Sequence, residues 1–136
     1  MKSKIFVAII SFTIYSSSLI GQSKNSSDNI NGKSFSIDIT RVSGKRTGWE
    51  WTNDVISFSG NKMTSAIMSQ HEHFQQGEIF ISRYPDGRVQ FKSVAENPGG
   101  SKLEWLGIIK DKKIEGKVDW HNAQGTQSYK FSGTSK

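Results

Sequence analysis

Cysteine is absent from the 136 residues. Its absence excludes disulfide bracing, thiolate metal ligands and the lipidated cysteine that anchors a bacterial lipoprotein. Proline occurs only twice, and no apolar run reaches the ~20 residues that a membrane-crossing helix requires. No segment combines ordinary helix length with a 3.6-residue apolar period. A basic stripe is missing too. The 18 Lys and Arg residues are dispersed, and Lys110-Asp111-Lys112-Lys113 is the one local cluster. That distribution speaks for solvated surface charge and against a nucleic-acid partner. There is no G-x-S-x-G elbow, P-loop or dinucleotide fingerprint, and Gly99-Gly100-Ser101 reads as a loop rather than a phosphate cradle. The sequence thus implies no cofactor and no catalytic motif.

The N-terminus has the parts of an export signal. Met1-Lys2-Ser3-Lys4 is a short basic region, Ile5 to Tyr15 is apolar, and Ser16 to Gln22 supplies small residues for cleavage. A signal peptide is therefore expected over residues 1–21, with a periplasmic or secreted product. Loss of Lys2 and Lys4 leaves 16 basic against 12 acidic residues. Residues 22–32 are polar and rich in Ser and Asn, which predicts a flexible leader with only Ile30 to bury. Residues 33–136 remain as one domain. It has no expected membrane span and must be held together by core burial alone.

That domain alternates side-chain character in steps of two, the period of a β-strand. The pattern is clearest between Ser101 and Gly133. Leu103, Trp105, Gly107 and Ile109 share one parity, as do Ile114, Gly116, Val118 and Trp120, and then Tyr129, Phe131 and Gly133. Asp111-Lys112 and His121 to Gly125 join these three segments. Earlier strands are predicted at Lys33 to Thr40, Val55 to Ser59, Lys62 to Ser69, Glu78 to Tyr84 and Arg88 to Ala95. Lys62 to Ser69 alternates less regularly, and Met63 to His73 has no breaker against a helix. The β rhythm around it favours a strand. Pro85-Asp86-Gly87 makes a strong turn. About eight short strands at nearly ten-residue spacing imply a closed barrel or a sandwich, and the sequential pairing favours an antiparallel up-and-down barrel.

Three fragments, Trp105-Leu106-Gly107, Ile114 to Trp120 as I-x-G-x-x-x-W, and Tyr129 to Gly133 as Y-x-F-x-G, accompany the earlier D-x-I-x-F-x-x-x-x-M-x-S of Asp54 to Ser65. With the signal segment, this resembles small exported bacterial proteins of lipocalin-like, or calycin-like, β-barrel type. The resemblance spans Lys33 to Gly133 and implies an all-β barrel with room for a small ligand.

Two clusters could carry a site. Aromatic side chains in a small barrel either fill it or line a cavity. Trp105 and Trp120 stand beside Gly107 and Gly116, where missing side chains make space for a ring or for a guest. On the second reading Trp105, Trp120, Phe131, Tyr129 and Phe91 line the binding site of a small apolar or amphipathic ligand. On the first, the core is filled and the protein works through its loops. His71-Glu72-His73 would place two imidazoles on one strand face, with His121 as a conceivable third ligand. A polar strand end is the simpler reading, so no metal site is expected. Carboxylate pairs such as Glu104 with Glu115, or Asp119 with Glu50, read as solvated faces rather than a glycosidase dyad.

Overall fold

A computed structural model describes residues 30–45 and 48–136. The expected signal peptide and the polar leader up to residue 29 lie outside the described residues. Strands β1 (Ser34–Ser43), β2 (Asn53–Ser59), β3 (Lys62–Ser65), β4 (Gly77–Arg83), β5 (Val89–Glu96), β6 (Lys102–Lys110), β7 (Lys113–Asn122) and β8 (Gly125–Ser135) follow in chain order. A helix, α1 (Ala66–Glu72), separates β3 from β4. Each strand pairs antiparallel with its sequence neighbour, and β1 also pairs with β8, which closes the barrel. Among the described residues no helix is long and apolar enough to cross a membrane.

The period-two sets face inward. Phe35, Ile37 and Ile39 of β1 are buried, as are Val89, Phe91 and Ser93 of β5 and Tyr129 and Phe131 of β8. Closure joins them into one core, because every strand offers an inward row and none is left as an edge. Register is fixed by tight turns. Ser59 pairs with Lys62 around Gly60-Asn61, and Lys110 pairs with Lys113 around Asp111-Lys112. Asp111 takes a left-handed φ of 57°, which aspartate tolerates in a two-residue hairpin. Asn122 pairs with Gly125, so the last hairpin is tighter than the expected His121 to Gly125 joint.

One expected strand is corrected. The chain leaves the sheet at Ser65, and the second half of Lys62 to Ser69 belongs to α1. The reason is hydrogen bonding from outside the segment. Ser65 is the N-cap, and its hydroxyl accepts the Met68 amide at 3.1 Å. The Asp54 carboxylate of β2 accepts the Ile67 amide at 2.9 Å. Two of the amides that a helix start leaves unpaired are thereby satisfied. The helix lays Met68 into the core and ends at His73, whose φ of 62° is a left-handed cap.

The barrel therefore has two unlike ends. At the helix end stand α1, the 48–52 loop with Trp49 and Trp51, and the β7–β8 turn. At the other end, here the arginine end, stand Ile30 to Lys33, the β4–β5 turn and the β6–β7 turn. The start of the described chain is held there. The Gly32 amide donates to the Phe58 carbonyl at 2.7 Å, the Asn31 side chain accepts the Gly60 amide at 2.6 Å, and Ile30 is buried.

Candidate functional site

The five aromatic residues singled out from the sequence are brought together, and they pack on one another's neighbours. Phe91 meets Phe58 edge-on with centroids 5.2 Å apart, and Trp105 meets Phe131 at 5.4 Å. Trp51 is the hub. Its ring lies edge-on to Trp105 at 5.7 Å, Trp120 at 6.4 Å and Tyr129 at 5.0 Å. Such tilted contacts are the favoured geometry of aromatic pairs. Gly107 and Gly116 are cross-strand partners. A Cβ on Gly107 would come within 2.6 Å of the Phe91 ring, and one on Gly116 within 2.9 Å of Phe131. The space beside the tryptophans is taken by the protein's own rings.

Below these rings the helix end is tied by a buried carboxylate. Asp54 accepts the Trp51 indole N–H at 3.2 Å, the Ser65 hydroxyl, and the amides of Val55 and Ile67 at 2.7 and 2.9 Å. Burial raises the Asp54 carboxyl above its ordinary value, and the hydrogen bonds work in the opposite direction. Asp54 and Ser65 are the two ends of the D-x-I-x-F-x-x-x-x-M-x-S pattern, so that pattern records a contact between β2 and the start of α1. It is structural, since it joins strand, loop and helix.

The histidines do not form the arrangement a strand would have given. His71 belongs to α1 and His73 caps it, so the two do not share a strand face. The His71 ring stacks on Trp49 at 4.7 Å. His121 lies on the outer wall, where Nε2 bonds Glu104 and Nδ1 bonds Thr126, both at 2.8 Å. Glu104, Asp119 and His121 hold their ligand-type atoms within 4.8 Å of one another. Both imidazole nitrogens already have partners, which makes this an exposed hydrogen-bonded group. Across the sheet Glu104 faces Asp119, and Glu115 faces Ile108. Glu50 takes the Arg41 guanidinium at 3.3 Å.

Among the described residues, two of the hollows have volumes of about 500 Å³ each, and none of the five aromatic residues lines either one. One is on the outer wall beside α1, lined by Asp38, Asn53 and Ile67 among others. The other is at the arginine end. Its apolar wall is Ile30, Val89 and Ile109, and its polar groups include Lys33, Arg83, Tyr84 and Asp111. Arg83 is placed there by the pleat. It continues the inward row of Gly77, Ile79 and Ile81 and pairs across β4 and β5 with Val89, itself buried. The Pro85-Asp86-Gly87 turn holds this rim, with the Tyr84 amide donating to the Arg88 carbonyl at 2.9 Å. Sequence reasoning passed over Arg83. The available signal was a charged residue on the inward parity of an otherwise apolar strand.

Comparison with known proteins finds no family model, no curated protein and no solved structure that matches the chain.

Proposed function

We propose that the protein is an exported, non-enzymatic barrel of lipocalin-like type that binds a small amphipathic ligand at its arginine end. The observation that carries this reading is the placement of space. The centre of the barrel is occupied by Trp51, Trp105, Phe91 and Phe131, whereas a hollow of about 500 Å³ with an apolar wall and a polar rim sits at one mouth. Small-molecule sites are commonly concave, of roughly 300–1,000 Å³, mostly apolar, and equipped with a few orienting polar groups. The binding site is thus shifted from the aromatic interior expected from sequence to the end of the same barrel. The test is Val89→Trp, which fills the hollow from its wall. Calorimetry with octanol should show binding to the native protein and none to the variant. Equal binding to both sinks the proposal.

A second reading has its own support. Phe80 and Val94, on the outer faces of the paired strands β4 and β5, are 62% and 44% exposed. Such a patch suits contact with another protein surface. Under this reading, Phe80→Ser reduces self-association measured by sedimentation; a native protein that is monomeric at high concentration removes that form of it.

A further inference from the structure

Among the described residues, the arginine end holds a guanidinium with one unpartnered edge. Among the described residues, Nε and Nη2 of Arg83 are buried and neither has a hydrogen-bond partner. The residue as a whole is only half-buried, but burying two donors of a cation without acceptors is costly. Asp111 lines the same hollow but does not hydrogen-bond those two nitrogens, and Lys33 adds a second cation to the wall. The neighbouring Arg88 is engaged elsewhere, paired with Asp86 at 2.9 Å and lying over the Tyr84 ring at 4.5 Å.

From this we infer that the ligand at this end carries an oxyanion, which the Nε–Nη2 edge of Arg83 meets once the side chain turns toward the hollow, while the apolar part of the ligand lies against Ile30, Val89 and Ile109. Nε and Nη2 form one side of the planar fork. That side presents two parallel N–H donors at the spacing of two oxygens of a carboxylate or phosphate. Lys33 supplies a second, flexible positive charge at the mouth, and together the two cations outweigh Asp111. The inference rests on the reading of the hollow as a binding site and adds the chemical class of the ligand. It also explains why the fold keeps two buried guanidinium donors without acceptors. Functional sites are where a fold tolerates a locally unfavourable group, because the ligand completes it.

The experiment compares octyl phosphate, octanol and inorganic phosphate by calorimetry on the native protein, Arg83→Met and Arg83→Lys, with thermal melts of each unliganded form. The native protein should bind octyl phosphate at least about tenfold more tightly than octanol. Arg83→Met should lose that advantage, keep its octanol affinity, and melt higher than the native protein because the unpaired charge has gone. Arg83→Lys keeps the charge without the two-donor edge, so it should weaken octyl phosphate binding and melt like the native protein. Equal affinity for octyl phosphate and octanol, or an undiminished octyl phosphate affinity in Arg83→Met, overturns the charge inference while leaving the cavity reading in place. A lower melting temperature for Arg83→Met assigns Arg83 to structure and also overturns it. Inorganic phosphate bound as tightly as octyl phosphate, and lost in Arg83→Met, supports the oxyanion and removes the apolar part of the ligand. Binding of none of the three overturns both readings.

Discussion

The two ends of this barrel solve the same problem differently. Every closed barrel must cover its mouths, where inward side chains run out of neighbours. The helix end does so with its own sequence. Trp51, 1% exposed, sits among Trp105, Trp120 and Tyr129, and the Asp54 carboxylate ties the loop, β2 and α1 to one another. The arginine end is covered only in part, by Ile30 and the β4–β5 turn, and leaves a hollow against which Arg83 is set. Buried donors without partners occur at both. At the helix end they are the neutral Trp120 Nε1 and Gln127 Nε2, on directly opposed residues of β7 and β8. At the arginine end they belong to a permanent charge. A neutral unpaired donor costs a few kcal/mol at most, while the donors of an ion cost more, so under the proposed function a ligand completes the second arrangement and the first needs none. Under the proposed function, one end is organised for stability and the other for recognition.

Paired truncations should separate them. Trp51→Ala removes the hub of the aromatic cluster and is expected to cost about 3–5 kcal/mol in urea denaturation. Ile109→Ala, beside space that already exists, should cost about 2 kcal/mol, the low end for an aliphatic core residue. Equal losses would abolish the proposed asymmetry. Asp54→Ala comes next, at about 2 kcal/mol, since it leaves the Trp51 indole and the Ile67 amide without their acceptor. Hydrogen exchange should then quicken at Ile67 and Val55 and stay unchanged at Val89. Uniform acceleration across the barrel would mean that Asp54 supports the whole fold rather than one end.

Much of this was legible because a sheet writes its faces into the chain directly. The rows Phe35-Ile37-Ile39 and Leu103-Trp105-Gly107-Ile109 need no tertiary information to be assigned, and the antiparallel barrel follows from turn spacing. Where strand gives way to helix was not legible. The local sequence around Met63 to His73 allows both, and the choice is made by Asp54, 13 residues before the amide it binds. The role of the glycines was likewise undecided from sequence, because only the register of the paired strands sets the Phe91 ring opposite Gly107 and the Phe131 ring opposite Gly116. Arg83 is a different case. Its parity was readable, but a charged residue at a strand end is normally solvated, and the burial of its guanidinium edge is decided by the tertiary fold.

The shielding of the helix end has a further consequence in alkali. Burial, reinforced by the charge of Glu50, raises the Tyr129 hydroxyl to about 12. A folded-state value above the ordinary 10.0 means that the neutral phenol favours the folded state. That contribution is complete below 10.0 and is lost as pH rises through about 12. Followed by phenolate absorbance, Tyr129 should ionise last and together with unfolding, and Tyr129→Phe should remove that late step. Ionisation near 10.0 with the fold intact would show that the helix end admits water.

The smallest effect belongs to the tip of the β4–β5 turn, which rims the arginine end without contributing its buried charge. Partial burial works to raise the Asp86 carboxyl, but the Arg88 amide, the Arg88 guanidinium and Lys110 outweigh it and hold the group below its ordinary 3.8. A lowered folded-state value stabilises the protein above 3.8 and ceases to do so as pH falls through the folded value. The pair is exposed, and solvent screens it, so Asp86→Ala should cost about 0.5 kcal/mol or less at neutral pH and nothing in strong acid. Octyl phosphate affinity should change little, because Asp86 pairs with Arg88 and leaves the Arg83 edge untouched. A large change in affinity with so small a change in stability would place the recognition charge at Arg88 instead, freed when its partner is removed, and would redraw the arginine end around the turn rather than the strand.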